Sequence, residues 1–375
     1  MRSCAIMNFH THHRYSVVTL SEAKGLSRRA ERCFAPLSMT LPVLVVKTHY
    51  RAGLGRGRQS SSALPQGAIN GAPTPLNLTA KGRHILNLET AHMYIGVDIG
   101  GTSTRAGLFR SLDSPHFVPL ARFPTHPDYE PQLQAIISAV QGSGPGPLAG
   151  IGVSIGGRMA KDGRSIAVAP NLPGYVGKPF AQDLSRALAC PVRLAHDPVC
   201  GLLAEKKFGY VRDFDRCAYL TISTGTGAAI QLSKASTGLT ISIEIGHQLL
   251  DGNSLPCLCG QVGCLETFTG GRQLELRYRQ PVAQISSIDA TFWETFCDKL
   301  ALGLVNLAQL TRIEAIAISG SIALNNTFLL PLLQQRVNAK LRGASLELSL
   351  ATLAENAPLV GAALLLDITE ETILH

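Results

Sequence analysis

The chain has 375 residues and nine cysteines, and 45% of its residues are hydrophobic. This length is enough for two domains with cores of their own. The formal net charge of +8 is concentrated in residues 1–92, which hold 12 Lys/Arg and 3 Asp/Glu, whereas residues 93–375 hold 22 and 23. The basic balance therefore does not indicate a nucleic-acid surface on the larger part. No apolar run approaches the length of a membrane span, and the odd number of cysteines does not indicate a disulfide framework.

Residues 1–92 have no sustained helical or alternating hydrophobic period, and they are rich in Arg, Ser, Gly and Pro. Met93 stands immediately before the first convincing strand. We therefore expect residues 1–92 to lie outside the fold, as a disordered or non-native extension with Met93 as the true initiator. An organelle transit peptide is the alternative, because the segment is rich in Arg and poor in acidic residues.

From Met93 onward, strand-like and helix-like segments alternate, which predicts an α/β protein. The predicted strands are 95–98, 106–109, 151–154, 166–168, 192–195 and 315–319, with a strand–loop–strand repeat starting near 216. The predicted helices are 132–140, 180–189, 202–208, 293–311, 326–340 and 357–366.

A glycine turn between two apolar runs opens this region. Residues 94–109 contain Asp98 at the end of one run, followed by Gly100, Gly101 and Thr102. Glycines let backbone N–H groups come close to a ligand, and successive N–H groups at such a turn bind anions. Asp98 is suited to hold a metal ion or its waters near phosphate. An ordinary β-hairpin is the alternative interpretation.

The same pattern returns at residues 218–230, with a Ser-Thr-Gly-Thr-Gly loop at 223–227. Two phosphate-type loops suggest a nucleotide held between two similar halves of the chain. Neither loop is a P-loop or a G-x-G-x-x-G loop that leads into a helix. Together they resemble the phosphate-1 and phosphate-2 loops of the actin-like sugar-kinase superfamily.

A cluster of metal-ligand residues follows. His247, Cys257, Cys259 and Cys264 lie within eighteen residues, and glycines between them allow tight chain reversals. One imidazole and three thiolates match a closed, tetrahedral, structural zinc site. Soft sulfur ligands disfavour Mg²⁺ and Ca²⁺. A loop with unrelated cysteines is the alternative.

The Gly-His pair and the Cys-x-Cys-Gly-x-x-Gly-Cys-x-Glu string resemble the ROK family (repressors, open reading frames and sugar kinases). The resemblance extends from residue 94 to the end of the chain. It implies two actin-like (ribonuclease H-like) α/β lobes around a cleft, at residues 93–209 and 210–359. The zinc loop, 247–264, would belong to the second lobe, and a helix at about 360–375 would pack back on the first.

The resemblance also implies a cytoplasmic kinase that moves the γ-phosphoryl group of ATP to a hexose or an N-acylhexosamine, usually at the 6-hydroxyl. Glucose, N-acetylglucosamine and N-acetylmannosamine all stay open as substrates, and a homodimer is possible. ATP, Mg²⁺ and a structural Zn²⁺ are the implied cofactors. No membrane or nucleic-acid partner is expected.

Residue by residue, the resemblance makes Asp197 the general base, although Asp197 followed by Pro198 would also suit a helix N-cap. The other implied sugar contacts are Gly157, Arg158, Asn171, His196, Glu244, His247 and Glu266, with His247 also a zinc ligand. The implied ATP contacts are Gly96, Val97, Asp98, Ile99, Gly100, Gly101, Thr102, Ser103, Ser223, Thr224, Gly225, Thr226, Gly227, Ala228, Ala229, Ile230 and Gly320.

The chain departs from the family pattern at three places. His196 and Val199 stand where the family usually has Asn, and Gly156 and Gly157 fall where it usually has Pro-Gly-Pro. Two other functions are therefore considered. A ROK transcriptional repressor would need an N-terminal winged helix-turn-helix, for which residues 1–92 give no helical pattern. A catalytically silent sugar sensor is the third possibility.

Overall fold

The computed structural model describes residues 7–8, 14–15, 93–233 and 238–374. The chain divides into two compact units, Met1–Gly82 and Arg83–His375. In the first unit the described backbone forms two short antiparallel strands, β1 (Met7–Asn8) and β2 (Arg14–Tyr15). The rest of residues 1–92 lies outside the described residues. The predictions that this segment is an extension and that Met93 is the initiator concern those residues.

The second unit begins with a five-stranded sheet. Its strands are β3 (Met93–Ile99), β4 (Ser103–Phe109), β5 (Val118–Pro124), β6 (Leu148–Ile155) and β9 (Val192–His196). They lie in the order β5-β4-β3-β6-β9, with β3, β4 and β5 antiparallel and β3, β6 and β9 parallel. A separate pair, β7 (Arg158–Met159) and β8 (Ile166–Val168), follows β6.

A second sheet has six strands. They are β10 (Arg216–Ile222), β11 (Thr226–Leu232), β12 (Thr240–Ile243), β13 (Ala315–Ser319), β14 (Glu347–Leu350) and β15 (Ile373–Leu374). The order is β14-β13-β10-β11-β12-β15. Apart from β15, this sheet repeats the first one: an antiparallel meander of three strands, then two parallel strands beside the first of them. The repeated glycine loops of the sequence thus belong to a repeated topology.

The helices surround and separate these sheets. They are α1 (Tyr129–Gly142), α2 (Phe180–Leu188), α3 (Asp197–Phe208), α4 (Glu266–Thr269), α5 (Gly271–Tyr278), α6 (Val282–Ile285), α7 (Phe292–Thr311), α8 (Ser321–Asn325), α9 (Leu329–Lys340) and α10 (Ala357–Leu364). Within the described part of the chain, no helix combines the length and the apolar character that crossing a bilayer requires.

Three apolar clusters form the core. One packs α1 and α2 against the first sheet, and another packs α7 and α9 against the second. The third lies around α3 and α10 and includes residues of both sheets, such as Phe109 and Ala317. A Cβ on Gly361 of α10 would lie 1.7 Å from the carbonyl oxygen of Cys200 in α3. The backbones of these two helices therefore touch directly, which only glycine permits.

The observed α3 begins at Asp197, five residues before the predicted helix 202–208. Val199 and Gly201 have low helix propensity, although Pro198 suits the first turn of a helix. All three are buried in the structure, so tertiary packing outweighs local preference. Strands β5, β12 and β14 were not predicted. β5 and β14 lie at sheet edges, and β12 lies next to the added β15. β5 also contains Pro119 and Pro124, which is typical of an edge strand.

Candidate active site

A cavity of about 1170 Å³ opens between the two sheets. Predicted site residues that line it are Asp98, Gly100, Gly101, Gly157, Arg158, Asn171, His196, Asp197, Ser223, Thr224, Gly225, Thr226, Glu244, His247, Cys259, Glu266 and Gly320. The strand topology explains much of this, because the carboxyl ends of β3, β6 and β9 meet at one edge of the first sheet.

Other residues assigned to ATP do not line the cavity. Val97, Ile99, Ala228, Ala229 and Ile230 are buried in the sheets. Gly96 lies under α10, where a Cβ would stand 2.4 Å from the carbonyl oxygen of Leu359. Three further predicted ATP contacts lie outside the lining: Thr102, Ser103 and Gly227. The same holds for two of the predicted metal ligands, Cys257 and Cys264. The loop tips reach the cavity, whereas the strands that carry them supply the core.

The two glycine loops face each other across the cavity. A Cβ on Gly101 would lie 3.9 Å from Thr224 Oγ1. The Gly100 N–H donates to the Ser103 carbonyl over 3.0 Å, which closes the first turn. In the second loop, the N–H of Arg272 donates to the Thr224 carbonyl over 2.9 Å, which ties the loop to α5. Both loops are thus shaped by backbone hydrogen bonds.

Asp98 is held from two sides. Arg105 Nη2 donates to its Oδ2 over 2.7 Å, and Ser154 Oγ donates to its Oδ1 over 3.1 Å. Burial raises the pKa of Asp98 above its usual value; Arg105 opposes this, and the charge of Asp197 adds to it. The charges of the two carboxylates therefore repel each other, and ionising Asp98 carries a cost that a bound cation would offset.

Asp197 is the first residue of α3, and its side chain is 30% exposed to the cavity. The residue in the N-cap position is His196, and no side chain caps this helix. The alternative reading of Asp197 as an N-cap therefore does not describe its geometry. His196 Nε2 lies 3.1 Å from Asp197 Oδ1. Val199, one of the departures from the family pattern, is fully buried and faces away from the cavity.

The end of the cavity nearer the cysteine cluster is rich in polar side chains. Arg272 Nη1 donates to Asn171 Oδ1 over 2.8 Å and joins the two halves of the cavity wall. Glu244 is exposed there, with its Oε2 3.9 Å from His247 Nε2. Glu266 accepts the N–H of Thr226 over 2.8 Å. Glu266 thus links the cysteine-rich loop to the second glycine loop.

The four predicted zinc ligands come together. Their ligand atoms all lie within 4.8 Å of one another, with Cys259 Sγ 3.7 Å from Cys264 Sγ and Cys257 Sγ 3.8 Å from His247 Nδ1. Zn–S bonds of about 2.3 Å in a tetrahedron place sulfurs about 3.8 Å apart, so the donor set and its spacing fit zinc. Gly260 and Gly263 have φ of +92° and +95°, which supports the predicted reversals. Burial raises the pKa of Cys257 and of Cys264, so a metal would displace their protons.

The polar residues of the site that were not singled out from the sequence include Arg105, Ser154 and Arg272. For Ser154 a signal existed, because it ends a predicted parallel strand and lies in register with Asp98. The sequence held no such signal for Arg105 or Arg272. Arg105 lies on a half-buried strand and Arg272 at the start of a helix, and charged residues are common in both places.

The fold and the cavity define an α/β protein with two topologically equivalent sheets and a cavity lined by two glycine loops. Residues 94–368 match the ROK family model. The chain belongs to the ROK family, as its motifs predicted.

Among similar proteins is the N-acetyl-D-glucosamine kinase of Salmonella newport (strain SL254), which is 30% identical over 261 residues, covering 62% of this chain and 84% of the relative. A solved ROK family glucokinase from Streptomyces griseus, in complex with glucose and AMPPNP, has a TM-score of 0.63 and 24% identity, and the match covers 73% of this chain and 98% of that one. A ROK family transcriptional regulator, a homolog of the E. coli MLC protein, has a TM-score of 0.61 and 18% identity over 74% and 78%. These two structures share the α/β fold, which confirms the α/β part of the predicted fold class.

Proposed function

We propose that the chain is an ATP-dependent sugar kinase that phosphorylates the 6-hydroxyl of a hexose or an N-acylhexosamine. The N-acetyl-D-glucosamine kinase relatives confirm the predicted enzyme class, a sugar kinase. The observation that supports the proposal most is the pair Asp98 and Asp197, which lie close to each other at the cavity wall where two glycine loops meet. One carboxylate would serve the metal nucleotide and the other would serve the acceptor hydroxyl.

Asp197 is proposed as the general base. A sugar hydroxyl is a poor nucleophile, so transfer needs a proton acceptor within hydrogen-bond reach. Asp197 Oδ2 would take the hydroxyl proton while the sugar oxygen bonds to the γ-phosphorus. The bond from that phosphorus to the bridging oxygen breaks, and ADP leaves. The N-terminus of α3 favours the negative charge of this carboxylate.

The nucleotide is proposed to bind across the two glycine loops. Gly101 and Thr224 face the same space, and their loops would bring backbone N–H groups to the phosphates. Gly320, Ser321 and Leu324 line the adjoining part of the cavity and would border the nucleoside. When bound, Mg²⁺ neutralises charge on the phosphates, and Asp98 would hold this ion or its waters.

The sugar is proposed to bind beside the two glycine loops, against Asn171, Glu244 and Glu266. Carboxylates suit this role because each oxygen can accept hydrogen bonds from hydroxyl groups. Glu266 uses one oxygen for the Thr226 N–H, which leaves Oε1 for the ligand. Zinc on His247 and the three cysteines would brace this wall and take no part in the transfer. Arg158, also exposed in the cavity, is a further candidate contact.

The two sheets with their helices correspond, in this proposal, to two actin-like lobes at residues 93–209 and 210–359. Their shared strand order supports this interpretation. Helix α10, which follows the second sheet's main strands, packs against β3 and β6 of the first sheet. A cytoplasmic location and a homodimer stay predictions from the family resemblance.

A coupled assay of ADP release tests the proposal. The purified chain is mixed with Mg·ATP and, in turn, N-acetylglucosamine, N-acetylmannosamine, glucose and fructose, with N-acetylglucosamine first because of the kinase relatives. Phosphorus NMR of the product should show a 6-phosphate. Sugar binding by calorimetry without turnover would favour a sensor, and sugar-dependent binding to promoter DNA without turnover would favour a repressor. Either result contradicts the proposed kinase.

A further inference from the structure

The last residue of β9, His196, lies between the two sheets. Its Nδ1 is 2.7 Å from the hydroxyl oxygen of Ser242, which belongs to β12. Its Nε2 is 3.1 Å from Asp197 Oδ1, and the His196 side chain is 12% exposed. The ring therefore has a polar partner at each nitrogen and presents only a small part of its surface to the cavity that it lines, although it was predicted to contact the sugar.

The protonation pattern of the ring follows from its partners. An ionised carboxylate only accepts hydrogen bonds, so the nitrogen that faces Asp197 must carry a proton. A neutral ring then has a bare Nδ1, which needs a donor. Ser242 can supply that donor, since a hydroxyl can rotate to give its proton. The three groups form a chain in which Ser242 hydrogen-bonds His196 Nδ1, and His196 Nε2 lies in polar contact with Asp197 Oδ1.

We infer that His196 and Ser242 position the catalytic carboxylate of this kinase. The inference rests on the proposed function, and it assigns His196 a role through Asp197. The imidazole faces Oδ1, which restricts how the carboxylate can rotate and leaves Oδ2 for the acceptor hydroxyl. Because Ser242 belongs to the second sheet and Asp197 follows the first, the same series of contacts ties the orientation of the base to the spacing of the two sheets.

Two substitutions separate the two ends of the ring. In H196Q the side-chain amide nitrogen can reach the position of Nε2, so it can still donate to Asp197. In H196N the shorter amide can reach the position of Nδ1, so it keeps the hydrogen bond with Ser242 and loses the contact with Asp197. Both variants should lose activity, and kcat of H196N should be lower than that of H196Q by about tenfold or more, within the range that a misplaced general base costs. KM for ATP should be similar in both.

A purely structural or sugar-contacting role would give a different pattern. Equal losses of kcat in the two variants, or a larger loss in H196Q, would overturn the inference. Thermal melting of both variants controls for folding, because the comparison is between two substitutions at one site. If neither variant folds, Ser242→Ala replaces them: it removes the donor to Nδ1 and should lower kcat while leaving KM for ATP similar.

A measurement without turnover distinguishes this inference from the proposed function. Two-bond proton–nitrogen NMR on ¹⁵N-histidine-labelled protein, assigned with H196Q, reports which ring nitrogen carries the proton. We expect a proton on Nε2 in the wild type and a changed pattern in S242A. A ring protonated only at Nδ1 in an active kinase overturns the inference alone. A ring protonated at Nε2 in a protein that phosphorylates none of the sugars overturns the proposed function instead.

Discussion

At the scale of single residues, the two carboxylates of the cavity have opposite requirements. Asp98 is buried beside Arg105 and Ser154, whereas Asp197 keeps an exposed edge. Burial makes an ionised carboxylate costly, and this cost is tolerated where a cation is to bind. In the folded chain without nucleotide, the ionised form of Asp98 is therefore destabilising. This effect can be tested through the pH dependence of the melting temperature.

Replacing Asp98 by Asn should abolish phosphoryl transfer without lowering the melting temperature of the ligand-free protein. Because burial raises the pKa of Asp98, the native state binds its proton more tightly than the unfolded state does. The favourable contribution of Asp98 is then present below about pH 3.9 and is lost as pH rises through the raised pKa. The melting temperature of D98N minus that of the wild type should therefore increase with pH.

Calorimetric melts over a series of pH values from about 3.9 upward measure this difference, because the raised pKa lies above that value. Asp113→Asn is the matched control, because its side chain is 91% exposed and it forms only a surface ion pair with Lys207. A lower melting temperature of D98N at every pH would show that the bond to Arg105 dominates instead.

Asp197→Asn keeps the size and the contact with His196 but removes the proton acceptor. We expect kcat to fall by about 10²–10⁴-fold, the usual contribution of a general base. Binding of ATP and of the sugar, measured by calorimetry, should change little, because neither requires proton transfer. Activity close to that of the wild type would contradict the assignment of Asp197.

At the scale of elements, the cysteine-rich loop connects a candidate metal site to two other elements. Glu266 of α4 follows Cys264 closely and holds the second glycine loop through Thr226. His247 lies between Cys257 and Glu244. Loss of the metal should therefore affect the sugar end of the cavity more than the nucleoside end.

Cys264→Ser should remove bound zinc, lower the melting temperature by several degrees and raise KM for the sugar by about tenfold, a cost typical of a disturbed metal site. Plasma mass spectrometry gives the zinc content. Cys190→Ser is the control, since Cys190 is a buried cysteine in the core of the first sheet and should leave zinc unchanged. Equal zinc content in C264S and the wild type would refute the site.

The sequence predicted these elements unequally. Strands that flank the glycine loops were predicted because their apolar runs end sharply at glycine. The cysteine cluster was predicted because one histidine and three closely spaced cysteines are typical of a metal site. The start of α3 was missed, since Val199 and Gly201 disfavour a helix locally and burial overrides that preference, although Pro198 suited a helix start. Likewise, the link between His196 and Ser242 joins residues 46 positions apart and has no local signal.

At the scale of the whole molecule, the cavity is bridged by Arg272 and Asn171, which come from opposite sides of it. The repeated loops indicated two facing halves, yet nothing in the sequence indicated which side chains would meet between them. Asn171 is a proposed sugar contact, so Arg272 would orient it for the ligand and hold the two sides together.

Arg272→Ala should raise KM for the sugar by about fivefold, since one hydrogen bond contributes about 1 kcal/mol. Small-angle X-ray scattering should show a slightly larger radius of gyration for the ligand-free variant. Arg186→Ala is the control, because Arg186 is 70% exposed on α2 and pairs only with its neighbour Asp183. An unchanged KM would mean that Asn171 keeps its position without this partner.

The position of helix α10 determines when, during synthesis on the ribosome, the fold around the cavity can be completed. Its backbone fills notches left by Gly96 and Gly152 in the strands next to the catalytic edge, and it touches α3 at Gly361. Translation decodes α10 after every strand and helix that carries a proposed catalytic group. In a nascent chain that ends before Ala357, the strand surfaces at Gly96 and Gly152 would be uncovered. The protein would therefore become active only after this one short helix has been synthesised.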